Sequence, residues 1–216
     1  MSVLVDSHVH FYPHYDGAAT LAAFAKRIGE SGADCGAMML VEREGMDQFG
    51  RWASDEPPAG WIATPADATS IVLRRDGQPP IVAVAGRQIA CAERVEVLAL
   101  ATRATFRDGT PAREAVAAAL AAGATPVLAW GVGKWLFNRA KIVSALFDAF
   151  APADLLVADP SLRPVFWPTP RLMAKAAAQG RRVLAGSDPL PPVREQARLG
   201  QYADLAETAT LDFAAP

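Results

Sequence analysis

Two of the chain's three histidines stand two residues apart in VLVDSHVHFYP, residues 3–13, directly behind an apolar run. In an extended strand, residues i and i+2 point to the same side, so His8 and His10 converge on one point, with Asp6 on that side one step earlier. Two neutral imidazoles aimed at one place are a natural pair of divalent-metal ligands, and burying both with nothing to bind is costly. A second chemical signal lies near the other end, in RVLAGSDPLP. There Asp188 sits just beyond an apolar strand, where the parallel strands of α/β proteins empty into the loops that carry their sites. If the sheet closes on itself, the first and last strands become neighbours and Asp188 joins the two histidines. A hydrolytic zinc uses three protein donors and a water, and these residues supply the three.

The elements that must position these groups follow from the pattern of the chain. Val3–Val9 reads as a strand, and DGAATLAAFAKRIGESG carries Leu21, Phe24, Ala25 and Ile28 at helical spacing before closing glycines. CGAMMLVERE is a second strand, giving a parallel βαβ opening. SDEPPAGWIATP reads as a surface loop. The middle, SIVLRRDGQPPIVAVAGRQIACAERVEVLALA, is a series of short β-rich runs punctuated by an Asp76-Gly77 hairpin turn and by Gly86. Thr110 as N-cap and Pro111 at the first helical position then open AREAVAAALAAG, which ends at Gly123. Strands TPVLAWG, DLLVADP and RVLAGSD follow, separated by helices near 138–150 and 169–180. PLPPVREQARLGQYADL reads as a proline-stiffened loop and short helix over the site mouth, and TLDFAAP as a loose tail. One α/β domain over residues 1–216 is expected, its nearly continuous apolar strands suiting an open doubly wound sheet or a closed barrel.

Composition narrows the function. With 51% hydrophobic residues, a net charge of −2 and a pI near 5.9, the chain has no basic excess for a phosphate backbone, which argues against nucleic acid as a general partner and leaves room for a local cationic pocket that takes a small anionic substrate or ligand. No apolar run approaches the roughly 20 residues of a membrane span, and the first residues lack a signal-peptide pattern. Cys35 and Cys91 fit neither a disulfide framework nor a zinc set, which suits a reducing cytoplasm. Arg43, Arg87 and Arg103 each adjoin a strand-like segment and are candidates for gripping phosphate or carboxylate oxygens. In AWGVGKWLFNR, two glycines with Lys134 and Arg139 suggest either an anion-binding loop or a glycine turn in which Trp130 and Trp135 cover the rim. His14 and Tyr12, just past the histidine pair, are candidates for proton donation or substrate contact.

HxH after the first strand and GSD after the last resemble the metal-dependent hydrolases of the PHP (polymerase and histidinol phosphatase) superfamily, and more distantly the amidohydrolases. GRQI, VEVLALATRATFRDG and GSDPLP extend the resemblance over most of the chain. It implies a distorted, TIM-like (β/α) barrel of about seven strands, a divalent metal (zinc, manganese or iron) and hydrolysis of a phosphoester, with an amide or lactone as the amidohydrolase-like variant. The sequence departs from the family's pattern: its second-strand Asp-His is LVERE, leaving Glu42 as the local donor, its Glu ligand falls at Gln88, and its final histidine falls at Pro189 or Leu190. The resemblance therefore implies one metal held by His8, His10 and Asp188 with help from Glu42. Asp188 and His14 would be the catalytic groups, and Arg43, Arg87, Gln88, Arg103, Lys134 and Trp130 the substrate contacts. The missing ligands also suit an inactive descendant that binds a small anion or a partner protein.

Overall fold

The computed structural model describes residues 1–54, 56–164 and 166–208. Strand β1 (Ser2–Val9), helix α1 (Gly17–Ser31) and strand β2 (Cys35–Leu40) form the parallel βαβ opening. Asp16 caps α1 by accepting the Ala19 N–H, and Leu21, Phe24, Ala25 and Ile28 form its buried stripe. A short helix α2 (Gln48–Ala53) follows, then β3 (Ile62–Pro65), β4 (Ser70–Arg74) and β5 (Ile81–Val84), with Asp76-Gly77 turning the antiparallel β4–β5 hairpin. The segment expected to be a loop thus ends in an edge strand, β3. Next come β6 (Gly86–Ala90), β7 (Glu96–Leu100), α3 (Ala112–Ala121), β8 (Thr125–Ala129), α4 (Asn138–Ala149), β9 (Leu156–Pro160), α5 (Arg171–Ala178) and β10 (Val183–Gly186). A 3-10 helix (Val193–Arg198) and β11 (Asp204–Glu207) complete the described chain, and TLDFAAP lies outside the described residues. Pro111 and Pro170 cap α3 and α5, and the Thr110 hydroxyl turns back to the Arg107 carbonyl instead of capping α3.

These strands form two sheets, ordered β11-β1-β2-β5-β4-β3 and β10-β9-β8-β7-β6. One apolar cluster lies between α1, α2 and the outer side of the first sheet. A second lies between the second sheet and α3, α4 and α5. A third, including Val41, Leu98, Val127 and Ala158, fills the space between the sheets. The architecture is mixed α/β, and the expected closed barrel is not formed. No ladder joins β10 to β1, where the Asp188 N–H donates to the His8 carbonyl at 2.9 Å and the Ser187 N–H is taken by the Asp6 carboxylate at 2.9 Å. At the other seam, the residues just past β2 meet β6 through the isolated Glu42–Arg87 bridge, in which Glu42 exchanges backbone hydrogen bonds with Gly86 and Gln88. At the β1–β10 seam a side-chain acceptor has replaced a ladder partner, so the strands approach without zipping. Both approaches depend on glycine. A Cβ at Gly186 would lie 2.8 Å from the His8 nitrogen, and one at Gly86 would lie 2.7 Å from the Leu40 carbonyl oxygen.

The register of β1 also corrects a sequence expectation. Asp6 pairs with Met38 but Val9 with Leu40, so one extra residue is accommodated between them. This irregularity reverses the alternation: Leu4 and Val9, an odd number of residues apart, pack in the same outer cluster. Asp6 therefore faces the α1 side, while His8 and His10 face between the sheets.

Candidate metal centre

His8 and His10 leave the end of β1 with their Nε2 atoms 3.2 Å apart. The Asp188 Oδ1 lies 3.5 Å from the first and 3.6 Å from the second. The three residues form the metal-capable group found among the described residues. Donors about 2.1 Å from a tetrahedral ion stand about 3.4 Å from one another, so the observed triangle has the dimensions a four-coordinate zinc requires. Protonation agrees. Burial lowers His8 to a pKa of about 4 and His10 to about 3, so both rings are neutral near pH 7 and carry lone pairs fit for a metal ion rather than a charge to pair with the carboxylate. Burial raises Asp188, while His10, Lys134 and Arg198 pull it back down. The His8 Nδ1 is buried with no hydrogen-bond partner among the described residues, an unmet need that the Nε2 side does not share.

The supporting atoms come from Asp6, which is fully buried. Its carboxylate accepts the Ser187 N–H at 2.9 Å and the Gly200 N–H at 2.8 Å, fixing the turn from which Asp188 projects. Burial pushes its pKa up to about 6 against those hydrogen bonds. Asp188 itself is held at φ 44°, a left-handed conformation that Asp tolerates better than most residues. Gln88, from the inner side of β6, is buried in the opposite sheet and bears on both imidazoles. Glu96 and Lys134, paired to each other, both bear electrostatically on His8.

The imidazoles set a pH dependence whose sign is fixed by their lowered values. Above about pH 6.5 they are neutral in both folded and unfolded chains. As pH falls, the unfolded chain takes up two protons that the native state refuses until about pH 4 and 3, and stability is lost across that interval. With chelator present, urea titrations should show the parent losing about 2 kcal/mol or more between pH 6.5 and 4 relative to a His8→Gln, His10→Gln double variant. Parallel pH curves for the two proteins would contradict the neutral, buried state of the rings.

The other sequence-derived candidates are distributed differently. Glu42 does not join the cluster: it follows inward-facing Val41 and points the other way, where it accepts the Gln48 and Phe49 N–H groups and pairs with Arg87. Arg87 is thereby committed to a nearly buried carboxylate. Arg87→Ala should cost about 3 kcal/mol in denaturant unfolding, because a buried charge is left alone, while an Arg87 used only for substrate would unfold like the parent. Arg43 is exposed and makes no ion pair among the described residues. It bears on His10 and, with Arg87, Gln88 and Arg107, lines a cleft of about 520 Å³. Arg103 stacks over Phe49, 5.6 Å from the ring centre, away from that cleft's lining. In the expected anion loop, Lys134 pairs with Glu96 and Arg139 donates to the Gly133 carbonyl at 2.6 Å, so both cations are spoken for. His14 is bonded through Nε2 to the Pro191 carbonyl, and Tyr15 donates to the Leu190 carbonyl. These contacts hold the segment after Asp188 against the one after His10. Glu96 escaped the sequence reading because β7 runs antiparallel to its neighbours, which brings its first residue, not its last, to the site. Cys35 and Cys91 are free, buried thiols in separate clusters. No helix among the described residues is long and apolar enough to cross a membrane.

Neither a protein-family model nor a curated protein matches the chain. Among solved structures it is similar to PsfC from Pseudomonas syringae PB-5123, with a TM-score of 0.57 and 14% identity over 96% of this chain and 92% of that one. It is also similar to the lesion-specific endonuclease PfuEndoQ from Pyrococcus furiosus, with a TM-score of 0.60 and 16% identity. That match covers 99% of this chain and 54% of the endonuclease, so the chain spans about half its length. The second likeness overturns the exclusion of nucleic acid drawn from net charge. A similar fold serves an endonuclease, and a charge averaged over the chain says little about local cations such as Arg43 and Arg107. At these identities the comparisons establish a shared α/β fold.

Proposed function

We propose that the chain is a metal-dependent hydrolase of phosphoesters, a single domain in which the two sheets represent a PHP-like barrel opened along its seams. The observation that carries this reading is the triangle of two neutral imidazole nitrogens and one carboxylate oxygen, 3.2 to 3.6 Å on a side. His8, His10 and Asp188 would hold the ion, leaving a four-coordinate metal one open position. A divalent ion there supplies Lewis acidity, lowering the pKa of water and polarising a phosphoryl oxygen. The protein's own groups do the rest. Arg43, without a carboxylate partner among the described residues, grips a non-bridging oxygen with its planar fork and offsets charge that builds during attack. Tyr12, whose ring lies 5.9 Å from that of His10, is kept protonated by burial and by the Asp188 charge, and donates to the leaving group. His14 takes a structural role, tethering Pro191. The endonuclease of similar fold makes phosphodiesters of nucleic acid part of the substrate class to be tested.

The test is metal content by mass spectrometry on untagged protein, together with turnover of bis(p-nitrophenyl) phosphate. About one ion per chain is expected, with activity lost to chelator and restored by zinc or manganese. Protein that stays empty after exposure to either metal would end the hydrolase reading. Gln88, a neutral amide where a carboxylate would strengthen a metal cluster, favours a second reading in which the site binds an anion through the metal without turning it over. Stoichiometric metal with no turnover of any phosphoester would select it.

A further inference from the structure

We propose that the apolar cleft beside the metal centre is the second half of the substrate site and takes a planar aromatic group joined to the phosphoester. This rests on the hydrolase reading above. Strands β8, β9 and β10 are parallel, so Trp130, directly after β8, and Asp188, after β10, lie at the same edge of the second sheet. Between them runs the segment 131–136, whose two sides serve two places. Lys134 turns to Glu96 and acts electrostatically on His8 and Asp188, while Gly131, Gly133 and Trp135 line a cleft of about 730 Å³. The cleft and the metal centre therefore adjoin the same loop.

The lining says what fits. Trp130, Trp135, Leu136, Trp167, Pro168 and Leu172 give flat, apolar faces, and among the described residues Arg171 is the one charged residue of the lining. A chain of phosphates would leave its charges undesolvated there, whereas a ring system stacks on tryptophan and proline and leaves its polar edge to Arg171. The volume falls within the range of small-molecule pockets, enough for one ring-bearing group beside a phosphate. The Trp135 Nε1 is already bonded to the Ala129 carbonyl at 3.1 Å, so this indole is fixed as a wall rather than seeking a partner. The exposed Val132, Leu136 and Phe137 at the rim extend the same apolar surface, and Phe137 is held there at φ 55°, a conformation rare for a bulky residue.

The experiment titrates metal-loaded protein with adenosine 5′-monophosphate, ribose 5-phosphate and adenosine, following tryptophan fluorescence. Stacking of one base contributes about 1 to 3 kcal/mol, so the nucleotide should bind about tenfold or more tighter than the sugar phosphate. Trp167 is 42% exposed, so Trp167→Ala should fold and should reduce that preference to within about twofold, while Trp167→Phe retains most of it. Equal affinity for nucleotide and sugar phosphate would overturn the inference even if phosphoester turnover is intact. Adenosine binding that Trp167→Ala abolishes, in protein that hydrolyses nothing, would support the cleft and sink the hydrolase reading instead. A dimer that dissolves on Trp167→Ala, without any preference for the nucleotide, would assign the surface to self-association and overturn the inference.

Discussion

Asp188→Asn is expected to reduce bound metal from about one ion per chain to below a tenth of that, and phosphodiester turnover by about a thousandfold or more. The carboxylate is the single anionic donor of the triangle, and two neutral imidazoles alone neither complete a hydrolytic zinc set nor offset its charge. Asparagine suits this test because it keeps what is structural about the position. It tolerates the left-handed φ of 44° at least as well as aspartate, and the backbone N–H still reaches the His8 carbonyl. Melting temperature should therefore stay close to that of the metal-free parent while metal content collapses. Full metal occupancy in the variant would remove Asp188 from the ligand set and leave the Proposed function without its central observation.

The second large effect is expected at Gly186. Alanine there drives its Cβ to 2.8 Å from the His8 nitrogen and 3.1 Å from the His8 Cα, and backbone cannot retreat as a flexible side chain could. β10 must move off β1, breaking the Asp188–His8 hydrogen bond and the Asp6 grip on Ser187 together. Chemical denaturation should show a loss of about 3 kcal/mol or more, with weakened metal binding at temperatures where the variant remains folded. Gly29→Ala is the control. It lies within α1, its new Cβ meets nothing within 4 Å, and it should stabilise by up to about 1 kcal/mol. Similar stabilities for the two alanine variants would show that the seam is slack.

What was legible in the sequence was what local chemistry dictates. The αβ alternation, the Asp76-Gly77 hairpin, the helices that open at Pro111 and Pro170 and the pairing of His8 with His10 are all written within a few residues of where they act, although the cap of α3 falls on Pro111 rather than Thr110. Glu42 and Asp6 went astray because a strand's facing depends on its register. One extra residue in β1 turned Asp6 away from the histidines, and Glu42 was an odd step from the inward-facing Val41. The edge strands β3 and β11 escaped because they carry little apolar alternation; DLAE pairs with β1 through backbone groups with Leu205 exposed. Closure was misjudged because periodicity reports that strands are buried, not whether their ends zip or merely touch.

The metal triangle draws on β1 of the first sheet and the end of β10 of the second, residues separated by most of the chain. An ion bound there would be a removable cross-link, closing a loop longer than most disulfides close and adding a constraint worth about 4 to 5 kcal/mol on the chain-entropy argument. It also imposes an order in time. On the ribosome, His8 and His10 emerge early as a bidentate fragment, and the third donor follows only after nearly all the strands have been synthesised. Tight capture of the ion would thus follow the synthesis of the strands between its donors, acting as a latch on strands already formed rather than as their nucleus.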